Sequence, residues 1–469
     1  MKIVIIGGGI SGCAAYLELR KHLPKPPQPD KQHEITIYEA YDTSIDTTPE
    51  DRDGSTHSST LVVGGGLGVA PNGLGVLKRL DENLLRDIVR GGYAIAHQDL
   101  RAKNGVLLMS IDSTGNPDAD GNRMHLLGTS RHSLWKNLRL RIPNSDIMTK
   151  RVSKVVARPN GRNVVHFENG SPSVEADLVI GADGIKGVTK HALFPQYKED
   201  LYAPQYQGLV GVGGFLPVEE TQDLVQAGTM NLVFGGNGFF GYFFMESSPS
   251  APDRDSPYHV SAPGGSLGWW STYAVDECPD PKSLDMGAVS RQLRERHENW
   301  KDPVIRTILR SLHVSNMYPT WTSPQLPTWQ SDGVVLVGDA AHALPSTSGQ
   351  GSSQALEDVE AFILLLSHHL REVDHSHSPD TMAYKNIITT AAKQYMEMRQ
   401  PRIQRILESA QQMQNSKRNM GVLAEYAMYC MMWIAGFFPS MLTKSVQEVF
   451  NYNVAEDVEN TISSSTRNF

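Results

Sequence analysis

Cysteine is scarce in this chain. Only Cys13, Cys278 and Cys430 occur among its 469 residues, and none of them is paired in a CxxC or CxxxxC spacing. This distribution argues against a redox-active disulfide and against a cysteine-rich zinc site, so we predict no metal. It also favours a reducing compartment, and we expect a cytoplasmic protein.

An excess of basic residues is missing as well. The chain has 43 Lys and Arg against 51 Asp and Glu, which gives a formal net charge of −8. This balance argues against nucleic acid as a partner. The N-terminus does not have the pattern of a signal peptide, because its first apolar run passes directly into glycines.

Long hydrophobic runs are also lacking, apart from one segment near the C-terminus. Residues 420–442 are apolar, but they include Glu425, Gly436 and Pro439, which argues against a membrane-spanning helix. We expect a C-terminal helix packed on the protein here. The alternative is a membrane contact through this segment, which would make the protein membrane-associated.

The first forty residues carry a nucleotide-binding pattern. Residues 2–6 are predicted as a buried strand, followed by G-x-G-x-x-G at Gly7, Gly9 and Gly12, a helix, and a second strand that ends at Glu39. In such a pattern the first glycine turns the chain, the second lets a pyrophosphate approach, and the third lets helix and strand pack. Glu39 would accept hydrogen bonds from a ribose. We therefore predict a bound dinucleotide, with a strand–helix turn that holds no ligand as the alternative.

A second glycine-rich segment lies late in the chain. Residues 334–337 are predicted as a buried strand that ends at Gly338-Asp339, and Gly349-Gln350-Gly351 precedes a helix that starts near Ser352. A carboxylate at a strand end can hold a sugar hydroxyl, and a helix N-terminus favours a negative group. A flavin has both, in its ribityl chain and in the ring edge that becomes negative on reduction. His342 lies inside this turn, where we expect a structural role and not that of a base.

Three further segments extend the pattern. Residues 177–180 are a predicted strand that leads into Asp183 and a glycine. The glycine-rich residues 64–73 suggest close approach of the backbone to a flat ligand, with a flexible connector as the alternative. Arg131 begins a helix that Ser130 caps, and it would reach a phosphate or a ribityl oxygen unless it is only a surface charge.

The middle of the chain is rich in aromatic residues. Residues 206–212, 238–244 and 268–273 are predicted strands of one sheet. Such a wall suits an apolar, planar or polycyclic molecule, and aromatic packing within a core is the alternative. The residues that we predict to contact substrate are Tyr206, Phe240, Tyr242, Trp270 and Pro345.

Together, the segments 7–39, 177–184 and 338–351 resemble the FAD-dependent aromatic hydroxylases, the class A flavoprotein monooxygenases that include relatives of salicylate and para-hydroxybenzoate hydroxylase. The resemblance extends to about residue 412 and includes Arg399-Gln400-Pro401-Arg402, which is similar to a family segment. It implies an α/β fold: a Rossmann-like FAD-binding domain with an inserted mixed β-sheet substrate domain and a helical C-terminal region. The boundaries would be 1–80, 124–190 and 333–372 for the FAD-binding domain, 81–123 and 191–332 for the substrate domain, and 373–469 for the helical region.

The resemblance also implies the cofactors, FAD and either NADPH or NADH. It gives no catalytic side chain. Asp183 belongs to a motif that is linked to both FAD and the nicotinamide cofactor. The residues expected at the cofactor are Gly7, Gly9, Ile10, Ser11, Gly12, Glu39, Gly65, Gly66, Arg131, Asp183, Asp339, Gly349, Gly351 and Ser352.

The chain departs from the family pattern at several positions. Gly187 and Lys190 stand where a Ser and an Arg are usual, and Ser353 stands where an Asn is common. Gly213 and Gly214 occupy the region of an arginine common in the first strand of the substrate domain. These departures leave FAD binding in place, but they leave the nicotinamide contacts and the group that anchors the substrate undefined.

The implied reaction is a monooxygenation. NAD(P)H reduces FAD, O2 adds to the reduced flavin, and the flavin hydroperoxide transfers one oxygen atom to a lipophilic aromatic or polycyclic small molecule, such as a secondary metabolite. An FAD-dependent epoxidase or Baeyer–Villiger oxygenase is the alternative on the same fold, and a non-catalytic FAD-binding or membrane-associated protein is the alternative of another class. A flavin-dependent halogenase does not fit, because its Trp-x-Trp-x-Ile-Pro signature is missing. The sequence does not decide the oligomeric state.

Overall fold

The computed structural model describes residues 1–26, 32–43, 66–197, 199–280, 283–312, 314, 317–372, 380–415 and 419–466. Within them, helices and mixed sheets form the predicted α/β fold, and the sequence motifs lie at the ends of the central strands. The domain boundaries given above stay a prediction.

A six-stranded sheet contains both halves of the nucleotide-binding pattern. Its strands, in spatial order, are β19 (Gln330–Ser331), β20 (Val334–Leu336), β13 (Leu178–Gly181), β1 (Lys2–Ile6), β2 (Glu34–Glu39) and β9 (Ile147–Thr149). All neighbours are parallel except the edge pair β19–β20. Strands β1, β13 and β20 are buried runs of Ile, Val and Leu, as parallel strands usually are. Because parallel strands end at the same edge, Gly7, Glu39, Asp183 and Asp339 all follow that edge.

Helices pack around this sheet. The described α-helices up to residue 342 are α1 (Ile10–His22), α2 (Pro71–Leu80), α3 (Glu82–Arg90), α4 (Arg131–Arg139), α5 (Met286–His297), α6 (Pro303–Arg310) and α7 (Asp339–His342). The remaining ones are α8 (Gly351–Glu372), α9 (Thr381–Asn415), α10 (Val422–Gly436), α11 (Pro439–Phe450) and α12 (Val454–Thr466). Helix α8 is the central one, since it packs against α1, α2, α9 and α12.

Two small sheets flank the central one. One is a hairpin of β10 (Val152–Val156) and β11 (Asn163–Phe167), which β12 (Val174–Ala176) extends. The other sheet is built on β8 (Arg123–Ser130), with β3 (Gly66–Val69), β4 (Gly92–Ile95) and β7 (Thr114–Pro117) as its partners. Strand β8 passes directly into α4, whose first turn is capped by the Ser130 hydroxyl accepting from the Ser133 N–H.

A seven-stranded sheet contains the aromatic segments. Its order is β18 (Met317–Thr322), β14 (Gln205–Pro217), β17 (Ser266–Ala274), β16 (Gly238–Phe244), β15 (Thr229–Gly235), β5 (His97–Ala102) and β6 (Leu107–Asp112). Only β15 and β5 run parallel. Helices α5 and α6 cover one face of this sheet, and we call the opposite face, which bears Phe243 and Trp270, the inner face.

The C-terminal region is helical, as predicted. Helix α9 passes through Pro401 and leads to α10, which packs on β6. Among the described residues, no helix is both long and apolar enough to cross a membrane.

Candidate cofactor and substrate site

The turn between β1 and α1 is built closely around bare backbone. Gly7 has a φ of +101°, and a Cβ there would overlap the Ala182 carbonyl. A Cβ at Gly12 would overlap the Gly7 carbonyl, so both positions require glycine. A Cβ at Gly9, in contrast, would meet nothing within 4 Å. The space beside Gly9 is therefore open, as the approach of a pyrophosphate requires.

Glu39 is held against this turn. The Gly8 N–H donates to its Oε2 at 2.5 Å, and the Tyr41 N–H donates to its Oε1 at 3.0 Å. The Trp135 indole N–H donates to the Gly8 carbonyl at 2.8 Å, a contact that the sequence did not indicate. Each carboxylate oxygen keeps a further lone pair, so a ribose hydroxyl can still be accommodated. The ribose contact of Glu39 stays a prediction.

Segments that are distant in sequence meet at this site. The backbone of Ala182, just before Asp183, lies against Gly7. Gly338 has a φ of +59°, and a Cβ there would lie 2.5 Å from the Ser11 hydroxyl oxygen. The glycine-rich and late motifs predicted to bind the cofactor are thus adjacent in the fold.

One carboxylate oxygen of Asp183 accepts hydrogen bonds, and the other has no partner among the described residues. Its Oδ2 accepts from the Thr189 N–H at 2.9 Å and from the Thr189 hydroxyl at 2.8 Å. Its Oδ1 is buried and has no hydrogen-bond partner among the described residues, and burial raises the pKa of this carboxyl. A buried acceptor without a donor indicates a missing polar group, which a cofactor hydroxyl would supply.

Two departures from the family pattern have a steric or structural reason. A Cβ at Gly187 would overlap the Asp183 carboxylate, so glycine is required there. The ammonium of Lys190 is buried and pairs with Asp200 at 2.7 Å and with the Tyr202 carbonyl at 2.8 Å. Lys190 therefore holds its own loop in place and is not available to a ligand.

Asp339 and Arg131 are both exposed, and their charges act on each other. The Asp339 side chain is exposed, yet surrounding protein raises the pKa of its carboxyl, an effect that Arg131 and His342 oppose. A carboxyl that is both accessible and surrounded lies in the wall of a cleft. Arg131 is itself exposed, and it also lowers the pKa of the Tyr318 hydroxyl, which burial raises. The charge of Arg131 thus acts both on the Asp339 turn and on β18 of the seven-stranded sheet.

The start of α8 completes this cleft. A Cβ at Gly349 or at Gly351 would meet nothing within 4 Å, and Gly349 has a φ of +59°. The Ser352 hydroxyl donates to the Gly68 carbonyl at 3.1 Å, which ties α8 to β3. A Cβ at Gly66 would lie 3.0 Å from the Phe243 ring, so this loop adjoins the inner face of the aromatic sheet. Gly65, also predicted at the cofactor, lies outside the described residues.

His342 takes part in a buried polar network behind the cleft. Its Nε2 lies 2.5 Å from Asp358 Oδ2, which also accepts from the Gly338 N–H at 3.0 Å. Burial alone would raise the pKa of Asp358, but the charges of His342 and Arg399 hold it below its usual range. The Arg399 Nε donates to Asp358 Oδ1 at 2.9 Å. The geometry fits the structural role predicted for His342.

The same network reaches two more helices. The Arg399 guanidinium also pairs with Glu357, to which Arg402 donates at 2.9 and 3.0 Å. The Asn72 amide donates to Glu357 at 2.5 Å and to Gln350 at 3.1 Å. These paired charges connect α2, α8 and α9 behind the glycine turn, although Asn72 Oδ1 and His342 Nδ1 have no hydrogen-bond partner among the described residues.

The predicted substrate residues do not all lie together. Phe240 stacks on Trp269 and contacts His297 of α5, and the Tyr242 hydroxyl donates to Asp302 at 3.1 Å. Both side chains lie on the face that α5 and α6 cover, which is opposite to that of Trp270, and their contact with substrate stays a prediction. The Tyr206 hydroxyl donates to the Val275 carbonyl at 2.7 Å, and its ring contacts Trp321. These contacts do not place the Tyr206 side chain beside Trp270.

Trp270 lies on the inner face and is partly exposed. Its ring contacts Phe239 and Phe243, and a Cβ at Gly241 would overlap it. Pro345 is buried at the start of the turn that leads to Gly349. For Trp270 and Pro345 the substrate contact stays a prediction.

The residues present fit a bound FAD. The backbone is open at Gly9, Gly349 and Gly351, Asp183 has a free buried acceptor, and Asp339 faces the same cleft as Arg131. A dinucleotide needs close backbone approach for its phosphates and acceptors for its hydroxyls, and this edge of the sheet provides both.

Comparisons with known proteins agree with this geometry. Residues 291–412 match the family model described as "FAD binding domain". A chloroplastic zeaxanthin epoxidase from Nicotiana plumbaginifolia is 24% identical over 387 residues, which cover 81% of this chain and 50% of the relative. The 3-amino-4-hydroxybenzoate 2-monooxygenase of Streptomyces cremeus is 27% identical over 320 residues, 65% of this chain and 69% of the relative. The chain spans about half the length of the zeaxanthin epoxidases that it matches.

A solved structure shows the same fold over nearly the whole chain. HpxO of Klebsiella pneumoniae, complexed with FAD and uric acid, has a TM-score of 0.68 at 17% identity and covers 95% of this chain and 96% of its own. The fold and the site thus define an FAD-binding flavoprotein. The resemblance to the FAD-dependent aromatic hydroxylase family that the motifs predicted is confirmed.

Proposed function

We propose that this protein is an FAD-dependent, NAD(P)H-consuming monooxygenase that inserts one oxygen atom from O2 into an uncharged, lipophilic aromatic or polycyclic small molecule. One observation carries the choice of substrate. The five strands β14 to β18 contain no Asp, Glu, Lys, Arg or His. These five strands therefore contribute no charged side chain to the wall that we place beside the cofactor cleft.

The lack of charge in these strands supports an uncharged substrate over a carboxylated one. A carboxylated aromatic that enters this site needs a cation, since an ionised carboxylate buried without a partner is strongly disfavoured. Gly213 and Gly214 stand where an arginine is common among the relatives. Arg131 and Lys186 are cations beside β18. The charge of Arg131 also acts on Asp339, where we assign it to the cofactor, and Lys186 lies over the Trp321 ring. An uncharged substrate needs no further partner.

The chain's own contribution is binding, orientation and the exclusion of water. When bound, FAD would supply the reduction by NAD(P)H and the activation of O2. Gly9 would admit the pyrophosphate and Asp339 would hold the ribityl chain. The N-terminus of α8 would favour negative charge on the reduced ring edge. Trp270 and Phe243 on the inner face would shield the reacting atoms from water. We assign no side chain as a catalytic acid or base.

Epoxidation is the second candidate reaction. It is supported by the similarity to the zeaxanthin epoxidases, whose names describe the epoxidation of zeaxanthin. The uncharged wall suits such a substrate equally well. A Baeyer–Villiger reaction needs the same cofactor and fits the same wall, and product analysis separates the three reactions.

The test is NADPH consumption with matched compounds. We expect an uncharged ester of a polycyclic aromatic acid to accelerate NADPH oxidation at least about tenfold over the rate without substrate, a barrier change of about 1.4 kcal/mol. The corresponding free acid, the matched control, should give little acceleration. An acid that stimulates as strongly as its ester would contradict the substrate class. Failure of a broad panel of uncharged compounds would favour a non-catalytic FAD-binding protein.

A further inference from the structure

Helix α10 exposes an apolar face at the surface of the protein. Leu423 is 90% exposed, Met431 66% and Phe437 63%. None of the exposed positions from 422 to 438 is charged, because Glu425, the one charged residue of the helix, points inward. We call this surface the α10 face. Its large side chains are Val422, Leu423, Tyr426, Met431, Trp433, Ile434, Phe437 and Phe438.

The opposite side of α10 is firmly attached. Met428 and Tyr429 are buried in a cluster with Phe234 and Phe239, and the Tyr429 hydroxyl donates to the Phe234 carbonyl at 2.7 Å. Glu425 pairs with Lys103 of the β5–β6 turn at 2.8 Å. The Tyr429 hydroxyl and the Glu425 carboxylate are thus used internally, and the orientation of the helix is fixed with the apolar face outward.

This face is too large to stay bare in water. Eight side chains that are each more than half exposed, at about 200 Å² for a full side chain, present roughly 1,000 Å² of apolar surface. The largest apolar patch on a soluble monomer is usually about 300–600 Å². An exposed apolar patch of this size is typical of a surface that contacts a partner or a membrane.

The chemistry of the face favours a lipid bilayer over a second copy of the chain. A protein–protein interface carries about one hydrogen bond per 100–200 Å² and a polar rim. The exposed positions offer few side-chain polar groups, which are the Tyr426 hydroxyl, the Cys430 thiol and the Trp433 indole N–H. A bilayer requires no such partners. Trp433, which contacts Phe437, and Tyr426 are residue types that are enriched at membrane interfaces.

We infer that the α10 face docks on the surface of a lipid bilayer, with α10 lying in the plane of the membrane. Its 15 residues span about 22 Å, which suits a helix lying on the membrane and not one crossing it. The cluster that attaches α10 also contacts Trp270 of the inner face. This arrangement sets the substrate side of the sheet next to the membrane. If the protein has the proposed function, on which this step rests, a lipophilic substrate would enter from the membrane.

The test is flotation of the purified holoprotein with phosphatidylcholine vesicles, without substrate. Zwitterionic lipid is chosen because the chain is acidic and the α10 face has no cation to attract anionic lipid. Wild type should float with the vesicles, and the double variant Leu423→Glu with Ile434→Glu should lose at least tenfold of the bound fraction. A matched control, Leu140→Glu with Leu201→Glu, changes leucines that are 54% and 58% exposed elsewhere and should float like wild type. All three should retain bound FAD, which shows that they are folded.

Two results would overturn the inference. One is a wild type that stays in solution, and the other is an α10-face variant that floats as well as wild type. If wild type is a dimer that does not float, and the α10-face variant is a monomer, a second copy covers this face. Because flotation needs no turnover, its failure leaves the proposed reaction untouched, and a failed substrate screen leaves the membrane contact untouched.

Discussion

Replacing Gly9 by alanine is expected to leave the protein folded and to weaken FAD binding at least about tenfold. A Cβ at this position would meet no protein atom within 4 Å, so the apoprotein accommodates it without strain. The same methyl group would occupy the space through which the pyrophosphate approaches the backbone. Overpacking of a closely fitted contact costs about 1–3 kcal/mol, which is about one to two orders of magnitude in affinity. Fluorescence titration of the apoprotein with FAD measures this change.

Gly12 provides the contrast. A Cβ at Gly12 would overlap the Gly7 carbonyl, which is backbone and cannot rotate away. Gly12→Ala should therefore lower the thermal stability of the apoprotein itself, before any cofactor is added. If Gly9→Ala binds FAD as tightly as wild type, the pyrophosphate does not lie at this turn. If Gly9→Ala also unfolds, the open space that the structure shows beside Gly9 is wrong.

Asp339→Ala should lose FAD, whereas His342→Ala should keep it. The Asp339 carboxyl faces the cleft without a hydrogen bond from a described residue, and burial raises its pKa. Its removal costs the apoprotein nothing but deletes a charge-assisted hydrogen bond to the cofactor, worth about 1.5–3 kcal/mol, which is roughly 10- to 150-fold in affinity. His342, only three residues later, binds Asp358 inside the network. Its removal should cost about 1–3 kcal/mol of stability and leave the flavin in place.

Two measurements on the same preparations separate these roles. The flavin absorbance per protein should fall in Asp339→Ala and stay near wild type in His342→Ala. The melting temperature of the apoprotein should do the reverse, falling only in His342→Ala. A colourless His342→Ala protein next to a yellow Asp339→Ala protein would assign the cofactor contact to the wrong residue.

The framework of the fold could be predicted from the sequence because its central strands have a clear sequence pattern. The runs at 2–6, 178–181 and 334–336 are short, apolar and followed by glycine, which is typical of parallel strands that end at a ligand. Their common edge then follows from parallel pairing. For the same reason, the sequence alone predicts that Gly7, Asp183 and Asp339 lie close together at one site.

The sequence could not predict which side chains of the aromatic strand β16 face the ligand. Residues 238–244 are apolar or aromatic at every position except glycine, so the alternation of a strand does not show which side faces the ligand. The side is decided by the register with β17, which pairs Gly241 with Trp270. Phe240 and Tyr242 therefore point to α5 and α6, and Phe243 points to the cofactor side.

The polar network was beyond sequence reasoning for a different reason. Glu357 and Asp358 pair with Arg399 across more than forty positions of the chain, and no local pattern encodes such a contact. The segment Arg399–Arg402 could be recognised by its resemblance to family members, but its partners could not.

The structure of the C-terminal segment was predicted only in part. We expected α10 either to pack on the protein or to contact a membrane. It packs on one side, while the other side is exposed and apolar.

The origin of the inserted oxygen tests the central claim most directly. The best stimulating compound from the NADPH screen would be incubated with the holoprotein and NADPH under ¹⁸O2 in ordinary water, and the product analysed by mass spectrometry. The account predicts a product that carries one ¹⁸O atom, formed from an uncharged aromatic or polycyclic substrate in step with the NADPH consumed. Consumption of NADPH that yields only hydrogen peroxide, or a product whose oxygen comes from water, would contradict it.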